Sequence, residues 1–366
     1  METIRWGILG TGEIAKQFAQ GLGSLPDAKL LAIGSRKLET AQAFSDQFQV
    51  PRAYKSYEEL LADKDIDIVY IATPNTMHKD NCILCLTAGK AVLCEKPFTI
   101  NAIEAREVIE LAREKKLFCM EAMWTRFIPL MPKVRDMIND GVIGEVKMLT
   151  ADFGMRVQFD ENDRHFNPHL GGGALLDVGI YPISLAFYLL GTPLNIVSQA
   201  TFGKTQVDEQ SSIIFYYTNG QLATLYSSLQ TNTPNEIIIM GTQGQLRIHA
   251  PIYKPYQFTV QKFPEPIKSS SNTKKSWKSS IKQISLIRKS YSYLSRFIHK
   301  PKKTVIPYKG NGYNYEAAEA MRCLRHGECE SQIMPLDETL SILETMDTIR
   351  SQWHFKYPNE VNEEQA

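Results

Sequence analysis

The sequence has little of what marks secreted, membrane-spanning or nucleic-acid-binding chains. Six cysteines in 366 residues are too few and too dispersed for a disulfide scaffold, and they read as reduced thiols. Neither sign of charge dominates: 41 basic and 40 acidic side chains leave +1, so no global field draws the chain to nucleic acid or to a membrane. Long hydrophobic runs are scarce as well. The most apolar stretch, Gly179 to Leu190, is interrupted by Pro182 and falls short of a bilayer span. Met1-Glu2-Thr3 leads into a strand-like run without the basic and apolar regions of a secretion signal, which makes a cytoplasmic location the expectation. Of the seven histidines only His165 and His169 stand at H-x-x-x-H spacing, and Pro168 between them breaks a helical turn. Cys82-x-x-Cys85 lies in a helical pattern with no second pair at zinc spacing, so no metal is expected.

What is present points to a large folded chain. Its length exceeds the ~250–300 residues at which a single core stops growing, so two domains are expected. Residues 1–121 alternate short apolar runs with helical patterns, which signals βαβ units on a parallel sheet. Strands fall at 4–9, 30–34, 66–72, 91–94 and 117–120, with helices between them, among them 40–48 and 101–115. Asn101 opens the last helix as N-cap, with Glu104 three residues on. From residue 122 the pattern changes. A helix at 129–140 precedes strand-like runs at 145–155, 195–204, 211–218, 221–229, 235–240, 244–249 and 256–262. A helix at 174–190 interrupts them, and helices at 312–326 and 336–353 follow. Residues 122–355 therefore read as an α+β domain built on a large, mainly antiparallel open sheet.

One segment departs in charge. From Lys262 to Lys303, twelve Lys or Arg face a single acid, a local +11 that leaves −10 for the remainder. Its serine content also marks 264–303 as an insertion. Ile281, Ile284, Ile287, Tyr291, Leu294 and Ile298 recur at spacings of three and four, the stripe of an amphipathic helix over 279–300. Docking on the acidic remainder of the chain is the expectation, ahead of contact with an anionic membrane.

Gly10-Thr11-Gly12-Glu13-Ile14-Ala15 fits G-x-G-x-x-A, after a strand and at the start of a helix, the context this dinucleotide fingerprint requires. Gly10 makes the tight turn and Gly12 admits a pyrophosphate, which the first-turn N–H groups from Glu13 and Ile14 would face. The class is thus α/β, with an N-terminal Rossmann domain. The second strand ends in Ser35-Arg36-Lys37, where NAD enzymes usually place an acid; a hydroxyl and two cations suit a 2′-phosphate, so NADP is expected and NAD is the alternative. Thr73, Pro74 and Asn75 follow the third strand and should border the dinucleotide, with His78 capping or orienting the next helix.

Glu95-Lys96-Pro97 after the fourth strand, Met120-Glu121-Ala122-Met123-Trp124-Thr125-Arg126-Phe127, and the stretch from Gly171-Gly172-Gly173 to Asp177 and Tyr181 resemble the glucose–fructose oxidoreductase / inositol dehydrogenase / MocA family (Gfo/Idh/MocA). They are most similar to its branch of dimeric dihydrodiol dehydrogenases and NADP-dependent D-xylose dehydrogenases. The match covers residues 1 to about 260 and about 312 to 355. The resemblance implies that Glu95 and Lys96 border the cofactor and that Lys96 hydrogen-bonds the reacting oxygen. It implies that Tyr181 is the general acid/base, its pKa lowered by the ammonium, and that Asp177 orients substrate or Lys96. Trp124, Arg126, Phe127 and Phe153 are candidate substrate walls, suited to a pyranose, a cyclic polyol or an aromatic diol. Whether Arg164 and His165 reach the pocket is open. The expected activity is hydride transfer between NADP(H) and a hydroxyl or carbonyl carbon of a sugar, polyol or trans-dihydrodiol, in a homodimer or higher homo-oligomer. A catalytically silent dinucleotide sensor controlling a partner is the alternative, and a tightly held NAD used for glycoside cleavage is a third reading.

Overall fold

Trp6, Ile8 and Leu9 of the first strand have no exposed surface, as befits a parallel strand covered on both faces. This strand, β1 (Ile4–Leu9), leads through the glycine turn into helix α1 (Glu13–Leu22). Next come β2 (Ala28–Gly34), α2 (Leu38–Phe48), β3 (Arg52–Tyr54), α3 (Tyr57–Leu61), β4 (Ile68–Ile71), α4 (His78–Thr87), β5 (Ala91–Glu95), α5 (Ala102–Lys115) and β6 (Cys119–Ala122). The six strands lie in the order β3-β2-β1-β4-β5-β6, every pair parallel. β1 pairs with both β2 and β4, so the order reverses there and opens a crevice at the carboxyl ends of the strands. Asn101 accepts from Glu104 N at 2.8 Å and caps α5 as its position suggested.

The second sheet is larger. After α6 (Leu130–Asn139) come β7 (Val146–Gly154), α7 (Ile180–Leu190), β8 (Asn195–Phe202), β9 (Asp208–Tyr216), β10 (Leu222–Ser228), β11 (Ile237–Gly241), β12 (Gly244–Ile248), β13 (Gln257–Lys262) and β14 (Lys302–Val305). Their order is β14-β13-β12-β11-β7-β10-β9-β8, antiparallel except for the central β7–β10 pair. That pair is parallel because the chain returns to β10 by a long crossover containing α7, which packs on both strands. Nine of the eleven α7 residues are buried, from Ile180 to Tyr188. Residues 168–190 reach the length and hydropathy of a membrane span, longer than the run expected from sequence, but 89% of that window is inside the protein. They form its core. The opposite face of the sheet is open: register places Met148, Leu222, Tyr216, Ile214 and Val197 side by side on it, and Met148, Tyr216 and Val197 are exposed.

The structure, a computed structural model, describes residues 2–264 and 301–363. The amphipathic helix expected over 279–300 lies outside the described residues. Lys302 and Lys303, read from charge as part of the insertion, belong to β14, an edge strand whose lysines suit an unpaired border. β3 was not expected, since three residues at a sheet edge carry no detectable period. Helices α8 (Tyr313–Arg325) and α9 (Leu336–Gln352) return to the first sheet, α8 packing on α1 and α9 on α5, while α9 also touches β8. They tie the two sheets together.

Candidate functional site

The glycine loop is built by two different constraints. Gly10 has φ +100°, and a Cβ there would lie 2.6 Å from the carbonyl oxygen of Ala72. A Cβ on Gly12 would meet nothing within 4 Å, so its bareness serves open space beside the loop. No side chain caps α1 at Gly12, leaving the first-turn N–H groups free for an anion. Thr11 is half-buried there, and Glu13 and Ile14 are exposed. A pyrophosphate fits this cradle.

At the end of β2, Arg36 and Lys37 are exposed and in no ion pair among the described residues. Ser35 behaves differently from expectation. Its hydroxyl lies 2.7 Å from Thr40 Oγ1, which itself donates to the Lys37 carbonyl at 2.9 Å, so Ser35 spends its proton on Thr40 and has none for a phosphate. The two cations are left to hold one. Thr73 is buried, Pro74 is exposed, and the Asn75 amide donates to the carbonyl of Gly171 at 3.1 Å. His78 is fully buried and does not cap α4, whose N-cap is Met77. Its ring nitrogens face the carbonyls of Thr73 (2.9 Å) and Pro97 (2.8 Å), strapping the loops after β4 and β5 together. Glu95 faces the interior, accepting from the Tyr70 hydroxyl and from Lys96 N (3.1 Å). Burial first, offset by Tyr70 and Lys96, leaves its carboxyl above the ordinary range.

Lys96, Asp177 and Tyr181 do come together. The Lys96 ammonium donates to the main-chain carbonyl of Asp177 at 2.7 Å, stands 3.5 Å from its Oδ1, and lies 4.8 Å from the centre of the Tyr181 ring. The local cause is an unexpected wide π turn over Leu175–Gly179, ahead of α7. Pro182 follows it and has no N–H to return to that turn. Burial works against ionisation of Asp177, but Lys96 and Arg164 hold its carboxyl far below the ordinary range. Burial likewise opposes the Lys96 charge, and Tyr181 and Asp177 outweigh it, so the ammonium is held more firmly than usual. For Tyr181 the expected lowering fails. Lys96 and the Trp124 N–H pull the phenol down, yet burial is larger and pushes it above its ordinary value.

The Tyr181 oxygen accepts from Trp124 Nε1 at 3.0 Å, and Phe153 lies 5.4 Å from its ring. Phe127 is buried. Arg126 is not part of the wall. Its guanidinium is fully buried, bonded to Ser184 Oγ (2.8 Å), Ser184 O (2.7 Å) and Glu338 (2.7 Å), and it pins the short 3₁₀ turn Trp124–Phe127 to α7 and α9. A buried arginine needs such partners, which the sequence places more than fifty residues away. Further residues complete the site: Tyr253 and Tyr313 were missed in the sequence, and Arg164 and His165 were left open there. Tyr313 stacks on Trp124 at 4.6 Å, and Tyr253 stacks on Phe153 at 5.2 Å. Arg164 Nη1 bonds Asp177 Oδ1 at 2.7 Å, and His165 Nε2 lies 3.4 Å from Oδ2. Their closeness to the glycine-rich stretch was the only signal. Among the described residues, no group of three or more His, Cys, Asp or Glu is arranged to hold a metal ion.

Comparison with known proteins adds to this geometry. A family model described as an oxidoreductase family with an NAD-binding Rossmann fold matches residues 4–123, and a GFO/IDH/MocA C-terminal domain model matches 131–247. A trans-1,2-dihydrobenzene-1,2-diol dehydrogenase of Mus musculus is 32% identical over 98% of this chain and 99% of its own. A D-xylose 1-dehydrogenase (NADP(+)) of Hypocrea jecorina is 32% identical over 97% of this chain and 93% of its own. Among solved structures, the 3-ketoreductase KijD10 from Actinomadura kijaniata, in complex with NADP and TDP-benzene, superposes with a TM-score of 0.79 at 25% identity, covering 96% of this chain and 98% of that one.

The two glycines predict opposite failures. Gly12→Ala should unfold like the parent protein, yet bind NADPH about tenfold or more weakly in a fluorescence titration. Gly10→Ala should lose thermal stability, because its Cβ meets main chain. Equal nucleotide affinity in Gly12→Ala would remove the cradle.

Proposed function

The chain belongs to the Gfo/Idh/MocA oxidoreductases, and from that premise we infer that it transfers hydride between NADP(H) and a hydroxyl or carbonyl carbon of a sugar, polyol or trans-dihydrodiol. Bound in the crevice above the glycine loop, the nicotinamide supplies or takes the hydride. The chain's own residues handle the proton and the developing charge.

One observation carries the assignment of roles. The Tyr181 oxygen accepts the Trp124 N–H at 3.0 Å beside the Lys96 ammonium. That bond engages the oxygen as acceptor, and the Tyr181 proton has no acceptor among the described residues. It is free to pass to a substrate oxygen. Because burial keeps the phenol protonated around neutral pH, Tyr181 is poised as the acid of carbonyl reduction. Lys96 stabilises negative charge on the phenol oxygen and on the reacting oxygen. Asp177, ionised at rest, holds Lys96 in place. In the oxidative direction the phenol must first lose its proton, so alcohol oxidation is an alkaline reaction. The aromatic wall of Trp124, Phe153 and Tyr253 offers flat apolar faces to ring C–H groups or to an aromatic diol.

The open sheet face supports self-association. Met148, Tyr216, Ile214, Leu222 and Val197 form a contiguous apolar strip that two copies can cover by face-to-face pairing, and a homodimer is part of this proposal.

Tyr181→Phe should lower kcat about a hundredfold or more while NADPH titrates as before; full turnover would dismiss Tyr181 as the proton carrier. In the parent enzyme, oxidation should climb from neutral to alkaline pH as the phenol ionises, and carbonyl reduction should decline over the same range. Binding of NADPH with no turnover on aldoses, inositols or dihydrodiols would instead favour the sensor reading. Arg36→Ala should weaken NADPH about tenfold to a hundredfold and leave NADH unchanged. Sedimentation of a Met148→Glu/Tyr216→Lys double variant should give monomers where the parent gives dimers, and an unchanged dimer would place the interface elsewhere.

A further inference from the structure

Tyr181, Lys96 and Asp177 are almost closed off from solvent; the Lys96 side chain is 13% exposed and that of Asp177 6%. A buried phenol that gives a proton to substrate at each turnover must be reloaded from water. We infer that His165, oriented by Asp163, is the proton gate of this site, passing protons between bulk water and the Lys96–Tyr181 pair by way of Asp177. This rests on the acid/base role given to Tyr181 above.

The path is laid out in contacts. Asp177 bridges the interior and the rim with one oxygen each, Oδ1 at 3.5 Å from Lys96 Nζ and Oδ2 at 3.4 Å from His165 Nε2. His165 Nδ1 bonds Asp163 Oδ1, which also accepts the His165 backbone N–H at 2.9 Å. The His165 side chain is 14% exposed, so the imidazole itself reaches the surface.

The tautomer follows from the partners. Arg164 Nη2 lies 2.9 Å from His165 Nε2. A guanidinium only donates, so Nε2 accepts and the ring proton sits on Nδ1, pointed at Asp163. Nε2 is then a free base facing both Arg164 and Asp177. A proton arriving from water at Nε2 displaces the Arg164 contact and has Asp177 Oδ2 as its next acceptor. Arg164 cannot relay, because it does not deprotonate in proteins. The groups facing the imidazole are thus Asp163 and Arg164 from its own loop and Asp177 from the wide turn, with Lys96 behind Asp177.

In carbonyl reduction, the Tyr181 O–H bond breaks as the proton joins the reduced substrate oxygen. A Lys96 N–H then gives its proton to the phenolate. The His165 Nε2–H bond breaks as the proton joins Asp177 Oδ2, the carboxyl turns about its Cβ–Cγ bond to bring that O–H to Lys96, and the O–H bond then breaks to restore the ammonium. Asp177 is too acidic to keep it, so it conducts without storing. Oxidation runs the same steps in reverse.

The test is carbonyl reduction by His165→Asn with NADPH, with and without added imidazole. Expected are a kcat about tenfold or more below the parent with little change in KM, recovery that rises with imidazole concentration, and a solvent deuterium isotope effect larger than the parent's. An unchanged kcat, or a loss that imidazole does not relieve and that leaves the solvent isotope effect as in the parent, overturns the gate and leaves His165 as a prop for Asp177. If His165→Asn does not fold, Asp163→Ala decides by kcat and the solvent isotope effect, since it removes the acceptor that fixes the tautomer. Failure of the underlying assignment looks different: it appears in the parent protein, as absent turnover or a fully active Tyr181→Phe.

Discussion

The hydrogen bond from the Lys96 ammonium to the main-chain carbonyl of Asp177, 2.7 Å long, joins a lysine that follows the parallel sheet to a turn that opens the central helix of the second sheet. Everything at the site is arranged around it. The carbonyl belongs to a wide turn, not to a regular helix, and Pro182 keeps the following turn from supplying a competing N–H. The turn is held from below, where Asp208 accepts from Leu175 N at 2.7 Å and burial pushes its carboxyl up to about 7. From above, the Asn75 amide holds the Gly171 carbonyl. Shifting any of these would move Asp177 and Tyr181 together.

Electrostatics gives the same cluster its chemistry. Two cations, Lys96 and Arg164, converge on one carboxylate, so Asp177 stays ionised although buried. The phenol beside them experiences opposing influences, and burial wins. That ordering keeps the Tyr181 phenol protonated near neutrality, where a dominant ammonium would have favoured the phenolate. Beneath the site, Glu316 on α8 is fully buried, with neither carboxyl oxygen hydrogen-bonded among the described residues, and burial and the neighbouring Glu95 raise its pKa well above the ordinary range. A carboxyl in that position remains protonated, which avoids a second negative charge behind Lys96.

Legibility in the sequence followed the locality of each signal. The strands of the first sheet and the glycine loop were readable because hydrophobic period and turn chemistry act over a few residues. β3 and β14 were not, being short edge strands whose identity comes from pairing. Arg126 illustrates the same limit at the site. A charged residue between Trp124 and Phe127 looks like a pocket group, yet its partners Ser184 and Glu338 turn it inward. His78 was expected to cap or orient the next helix, but its service as a strap between two loops depends on the Pro97 carbonyl nineteen residues on.

By itself, the sequence determined the α/β class, the dinucleotide cradle at Gly10 and Gly12, the cations Arg36 and Lys37, and, by resemblance, the trio Lys96, Asp177 and Tyr181. These depend on local backbone geometry or on motifs carried intact. Tertiary structure alone decided that burial overrides Lys96 at the Tyr181 phenol, that Ser35 gives its proton to Thr40, and that Arg164, His165, Tyr253 and Tyr313 belong to the site. The reason is physical: desolvation, hydrogen-bond competition and ring stacking depend on which distant groups become neighbours, and that is settled only when the two sheets and the returning helices close on one another.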